Sequence, residues 1–182
     1  MDLVSVINSF DLVDIVPRTL VLCDIDDTLL YSTEDENARA VYSRIYHHYF
    51  NATNLNYEAA TKITDNLYYS KYPMRPTDAE GFERMLAKIR QTEGCELIFL
   101  TARNPSTVDF TAANFEQIGL NPEEHMIHFS DFMPKGQYTK SQIDLSPYKK
   151  VVFIDDVREN LQNMGMHIRN IPLDLYLFRL RK

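Results

Sequence analysis

Asp24, Asp26 and Asp27 crowd into four positions directly after Thr19 to Cys23, an uninterrupted and largely apolar run. Such a run is what a strand covered on both faces of a parallel sheet looks like. Three carboxylates at the tip of a buried strand repel one another unless a cation or an anion-binding role offsets the cost. In open α/β sheets ligands sit at the carboxyl ends of strands, so this stretch is the first candidate for an active site. Three other places carry polar residues of a matching kind: Thr101 to Arg103 after Leu97 to Leu100, Lys135, and Asp155 with Asp156 after Val151 to Ile154. If those strands are neighbours, up to five carboxylates meet in one volume. All-oxygen donors with no His or Cys nearby point to Mg²⁺, a hard ion usually paired with substrate phosphate. A Thr101 hydroxyl, a fixed charge at Lys135 and helix N-terminal N–H groups suit phosphate oxygens. A carboxylate held there can itself attack phosphorus, which makes Asp24 the candidate nucleophile. Asp26 points to the same side and could protonate the leaving oxygen, then deprotonate the attacking water.

The elements that must position these groups alternate along the chain. Residues Leu3 to Val13 read as a short amphipathic helix stopped at Pro17. After Leu30, Thr33-x-x-Glu36 has the form of a capping box, and Ala38, Val41, Ile45 and Tyr49 recur at helical spacing. A break at residues 51–56 precedes a second helix from about Tyr57 to Ser70. Two helices with no strand between them depart from βαβ alternation and imply a helical hairpin inserted over the tip of the first strand. Thr77-x-x-Glu80 reads as a capping box for a helix that buries Phe82, Met85, Leu86 and Ile89. Leu97 to Leu100, Met126 to Phe129 and Val151 to Ile154 are further strands, and Leu173 to Leu180 a final edge strand. Pro105 starts a helix that Gly119 ends, and Lys135-Gly136 opens another to about Leu145. The fold class is therefore α/β: a Rossmann-like, mostly parallel sheet with helices on both faces and a small helical cap insertion after the first strand. The expected division is 1–30 with 73–182 as the core and 31–72 as the cap.

Composition bounds the partners. At 182 residues, with 45% hydrophobic and 25% charged, the chain has the make-up of a soluble globular domain able to bury a proper core. A net charge of −7 without a Lys/Arg cluster argues against nucleic acid or an anionic membrane as partner. Cys23 and Cys95 both adjoin expected buried strands and read as reduced core cysteines, which suits a cytoplasmic setting. The N-terminal stretch resembles neither a signal peptide nor a membrane span. Eight of the 11 tyrosines fall between Tyr31 and Tyr72, together with His47, His48 and Phe50. Most of these rings should pack the inserted helices, with one or two reaching the pocket. Adjacent His47 and His48 cannot share a helix face. Asp27 reads as a solvated residue or a cap, and Arg103 as a structural ion-pair partner.

The motifs DIDDT (24–28), IFLTAR (98–103), PKG (134–136) and VVFIDD (151–156) resemble the four ordered motifs of the haloacid dehalogenase-like (HAD) superfamily, over a span from about Leu20 to Asn160. The resemblance implies a Rossmann-like core, Mg²⁺ as cofactor and Asp24 as nucleophile and metal ligand. It implies Asp26 as general acid/base and as a ligand through its main-chain carbonyl. Thr101, Ala102 and Lys135 would bind substrate, with Lys140 as the fallback for Lys135. Asp156 would hold the metal directly and Asp155 through water. An acid at Asp26 looks like the phosphatase and phosphomutase branch, and MRPTDAEGFERML ahead of LTAR is similar to small-cap phosphatase-like proteins. The expected function is a Mg²⁺-dependent phosphatase acting on a small phosphorylated substrate through an aspartyl-phosphate. The alternatives are a phosphotransferase or mutase, and a catalytically silent module that binds a phospholigand or partner.

Overall fold

The structure is a computed structural model and describes residues 4–32 and 38–180. Its centre is strand β2 (Thr19–Cys23), all five residues of which are buried. Leu20 and Leu22 belong to one apolar cluster and Val21 and Cys23 to the other, as the two-residue period of a strand requires when both faces are covered. β5 (Glu96–Thr101) and β7 (Lys150–Asp155) flank β2, each in parallel register. β6 (Met126–Phe129) lies outside β5, and β8 (Leu173–Phe178) with β1 (Val4–Ile7) lies outside β7. Every pairing in this six-stranded sheet is parallel.

Helices α3 (Ala79–Gln91) and α4 (Val108–Gln117) contribute Phe82, Met85, Ile89 and Phe115 to one face. Helix α6 (Arg158–His167) contributes Leu161 and Met164 to the other, where Tyr138 of α5 (Lys135–Gln142) also packs. After β2 the chain builds toward β6, then returns to the opposite side of β2 for β7 and β8. That reversal is the switch point of a doubly wound sheet, and the crevice it opens lies at the carboxyl ends of β2 and β7.

Between β2 and α3 the chain forms β3 (Leu30–Ser32), α1 (Ala38–Thr53), α2 (Tyr57–Lys71) and β4 (Met74–Pro76). β3 and β4 pair antiparallel at the base of the two helices. Three-residue strands carry no periodicity, so this ribbon left no mark on the sequence pattern. The Thr33-x-x-Glu36 capping box lies outside the described residues.

Three expectations are corrected. Residues 4–7 form a strand, not the start of a helix: β-branched Val4, Val6 and Ile7 pair with Leu175 to Phe178 along the open edge of β8. Phe10, in the 3₁₀ turn that follows, is then buried against Phe178 with ring centroids 4.8 Å apart. In consequence β8 is an interior strand and β1 is the edge. The cap of α3 is Asp78 rather than Thr77: one Asp78 oxygen accepts from Gly81 N–H at 3.1 Å and the other from Phe10 N–H at 3.0 Å. Thr77 instead donates its hydroxyl to the Thr28 carbonyl in the loop after β2.

Candidate active site

Just beyond the end of β2, Asp24 N–H donates to the carbonyl of Ile154, the penultimate residue of β7, at 2.9 Å. This sets Asp24 beside Asp155 and Asp156. One carboxylate oxygen from each of the three lies within 4.8 Å of the others. The loop beyond Asp24 turns tightly, with the N–H groups of Leu29 and Leu30 donating to the Ile25 carbonyl and Asp27 at a positive φ of 61°. Thr28 in this turn donates its hydroxyl to Asp24 Oδ2 at 3.2 Å.

Lys135, the first residue of α5, is 2% exposed, and its ammonium donates to both Asp24 Oδ1 and Asp155 Oδ2, the latter at 2.7 Å. Its position depends on Gly136. The Gly136 N–H donates to Asn163 Oδ1 at 2.8 Å, and a Cβ at Gly136 would lie 2.4 Å from the Asn163 carbonyl oxygen. Only glycine lets α5 press this closely on α6. Lys140 is exposed and outside the cluster.

Asp155 is fully buried and heavily engaged: beyond Lys135, it accepts from Val157 N–H at 2.8 Å and from Asn160 Nδ2 at 3.0 Å. Burial, and then Asp155 and Asp27, push the Asp156 carboxyl up to about 7 against the opposing pull of Lys135. Burial also drives Asp24 well above the usual carboxylate range, with Asp155, Asp156 and Asp26 adding to it and Lys135 opposing. For Lys135 burial is overruled by Asp155 and Asp24, so its ammonium is held above its ordinary value. With all three carboxyls ionised, one ammonium would leave two negative charges without compensation, and that deficit of positive charge is part of what raises Asp24 and Asp156. An all-oxygen donor set with that deficit fits a hard divalent cation.

Asp26 faces another way. Its carboxylate receives both Nε and Nη2 of Arg103, at 2.9 and 2.7 Å. Arg103 is 4% exposed, donates Nη1 to Thr111 and Asn114 at 3.0 Å each, and lies 4.3 Å from the centroid of the Tyr69 ring. Burial works against this guanidinium's charge, but Asp26 more than restores it. Thr101 is buried, and its hydroxyl oxygen accepts from Arg103 N–H at 3.2 Å. Ala102 is half-buried beside it, its carbonyl accepting from Phe132 N–H at 3.1 Å. The structure thus gathers Asp24, Asp155, Asp156 and Lys135 into one cluster and puts Asp26 with Arg103. Sequence reasoning missed Asn160 and Asn163, which fasten Asp155 and α5. The one signal for Asn160 was its position in the first turn of a helix just beyond two acids.

The inserted helices border this region. Tyr69 of α2 stacks on Phe110 with centroids 5.9 Å apart, and Tyr42 of α1 donates to Asp65 of α2 at 2.7 Å. Among the described residues no helix is long and apolar enough to cross a membrane.

The fold is shared with solved HAD family enzymes. The structure of HAD family enzyme bt-2542 from Bacteroides thetaiotaomicron, in complex with magnesium and inorganic phosphate, aligns with a TM-score of 0.56 at 14% identity, covering 86% of this chain and 93% of that one. A second structure of the same enzyme aligns with a TM-score of 0.53 at 12% identity, covering 87% and 93%. No curated protein sequence matches the chain. The profile of one sequence family matches residues 2–140, about three-quarters of the length. The chain therefore belongs to the family described as "Protein of unknown function (DUF2608)".

Proposed function

We propose that the protein is a Mg²⁺-dependent phosphatase that hydrolyses a small phosphomonoester through an aspartyl-phosphate on Asp24, with residues 31–72 as a small helical cap over the site. The observation that carries this reading is the meeting of Asp24, Asp155 and Asp156 around one point, with Lys135 bridging two of them. The likeness in fold to an enzyme solved with magnesium and phosphate supports it.

Asp24, Asp156 and the main-chain carbonyl of Asp26 would hold the metal directly. Both oxygens of Asp155 are already taken by Lys135, Val157 and Asn160, which supports an outer role for it. Bound there, Mg²⁺ offsets the negative charge of the carboxylates and of the substrate phosphate. Lys135 adds a fixed positive charge on the nucleophile's flank and reaches the phosphate's equatorial oxygens. Thr28 and Lys135 fix the Asp24 carboxylate from two sides, so its lone pair is oriented before substrate arrives.

Asp24 attacks phosphorus and the bond to the leaving oxygen breaks; Asp26, which must first turn from Arg103 toward the substrate, gives that oxygen a proton. Asp26 then takes a proton from the water that attacks the acyl phosphate's phosphorus, releasing phosphate and restoring Asp24. Thr101 accepts from Arg103 N–H and so keeps its own hydroxyl proton for a phosphate oxygen, with the Ala102 N–H alongside. Hydrolysis of p-nitrophenyl phosphate by the purified protein, with Mg²⁺ and with EDTA, tests the proposal. Mg²⁺-dependent release of phosphate supports it, and transfer to added glycerol in place of release would make the protein a phosphotransferase. Absence of turnover across a panel of phosphomonoesters would overturn it.

A further inference from the structure

Tyr68, in the last turns of α2, is 1% exposed, and its buried hydroxyl has no hydrogen-bond partner among the described residues. Burying a phenol oxygen without a partner destabilises a fold, so such a group is retained against a cost. Of the side-chain polar atoms in this condition, Tyr68's is the one carried by the two inserted helices. Its neighbour Tyr42, 5.9 Å away ring to ring, shows the ordinary solution by bonding Asp65.

The Tyr68 ring is also firmly aimed. Tyr42 and Tyr69 meet it edge to face, the latter at 5.0 Å, and Tyr72 lies against it at 5.5 Å. Tyr69 in turn lies on Arg103, which grips Asp26. After burial, Asp26 is the charge that most raises the Tyr68 phenol, followed by Tyr69 and Asp27. Through Tyr69 and Arg103 the Tyr68 ring is two side chains removed from Asp26, and so borders the side of the site where the alcohol half of a phosphomonoester would leave.

We propose that Tyr68 is a substrate-binding residue whose hydroxyl bonds an oxygen of the substrate's alcohol half, so that the protein prefers phosphomonoesters of polyhydroxy alcohols to those of aryl or alkyl alcohols. This rests on the phosphatase reading of the site. A phenol hydroxyl both donates and accepts, and so does an alcohol hydroxyl one or two carbons from the ester oxygen. An aryl leaving group has no such oxygen and leaves Tyr68 unpaired. The hydroxyl is closed to solvent in this arrangement, so binding there requires α2 to open for the substrate and close again over the alcohol.

The test compares Tyr68→Phe with the unaltered protein on β-glycerol phosphate and p-nitrophenyl phosphate, and compares their melting temperatures with and without Mg²⁺ plus β-glycerol phosphate. The proposal expects Tyr68→Phe to melt at the same or a higher temperature, and its preference for β-glycerol phosphate to fall about five- to tenfold, the worth of one neutral hydrogen bond. An unchanged preference, or a lower melting temperature with equal losses on both substrates, overturns it by showing a structural hydroxyl. Should the unaltered protein turn over neither compound, the phosphatase reading fails by itself. Tyr68 is then judged on binding: a ligand-induced rise in melting temperature that shrinks in Tyr68→Phe upholds it, and an equal or absent rise overturns it.

Discussion

Lys135 Nζ lies 2.7 Å from Asp155 Oδ2, and the same ammonium donates to Asp24, so one buried cation joins the carboxyl ends of β2 and β7. Removing it leaves two buried carboxylates facing each other. Lys135→Met should destabilise the protein by about 3–5 kcal/mol, the usual consequence of breaking a buried pair from one side. Chemical denaturation in EDTA measures this. The double variant with Asp24→Asn should lose less than the sum of the two single changes.

Gly136 offers a separate test of how Lys135 is placed. Gly136→Ala puts a methyl group where the Asn163 carbonyl stands, so α5 must move off α6. Reduced thermal stability together with loss of turnover is expected, whereas Lys140→Ala, on the exposed side of α5, should alter neither.

The pH response follows from Asp156. Its carboxyl is raised to about 7 from an ordinary value of 3.8, so the neutral form is favoured in the folded state. A raised folded value contributes stability that is present in acid and is lost as pH climbs through about 7. Without metal the melting temperature should therefore fall as the pH rises from about 4 to about 7 and level off above that. Added Mg²⁺ should raise it most at the alkaline end, because below neutrality the ion competes with the Asp156 proton. Melting curves across that range, with Mg²⁺ and with EDTA, check the sign.

Arg103 holds Asp26 by two hydrogen bonds, with the guanidinium buried and the Asp26 side chain 26% exposed. Arg103→Met should cost about 2 kcal/mol of stability, less than a fully buried pair because water reaches the acid. Urea unfolding reads the loss, and Asp26→Asn in the same background should change stability little further.

Much of this arrangement was legible in the chain itself. The acids at the ends of Thr19–Cys23 and Lys150–Asp155 announced themselves because a buried strand that ends abruptly in charge needs a counter-ion or a ligand to offset it. Phe82, Met85 and Ile89 were readable as a core face because α3 is strongly amphipathic and packs on the sheet along one stripe. The edge strand at Val4–Ile7 was not, because its partner Leu175–Phe178 lies at the far end of the chain and tertiary pairing overrode a helix-like spacing. The turning of Asp26 toward Arg103 was equally hidden. Spacing puts Asp24 and Asp26 on one side, but a guanidinium arriving from the end of β5 decides which way the second carboxylate faces.

The nucleophile carries the whole functional reading, and substitution gives a first check. Asp24→Asn keeps the shape of the side chain and removes its charge, so turnover of p-nitrophenyl phosphate should fall at least about a thousandfold. Steady-state rates on folded protein, verified by circular dichroism, measure it.

The most direct measurement is acid quenching of the protein during turnover with Mg²⁺, followed by mass spectrometry of its peptides. The account predicts one phosphoryl group on the peptide that contains Asp24, removed by hydroxylamine as an acyl phosphate is. Product accumulating while that peptide stays unmodified, or a phosphoryl group found on another residue, would contradict it.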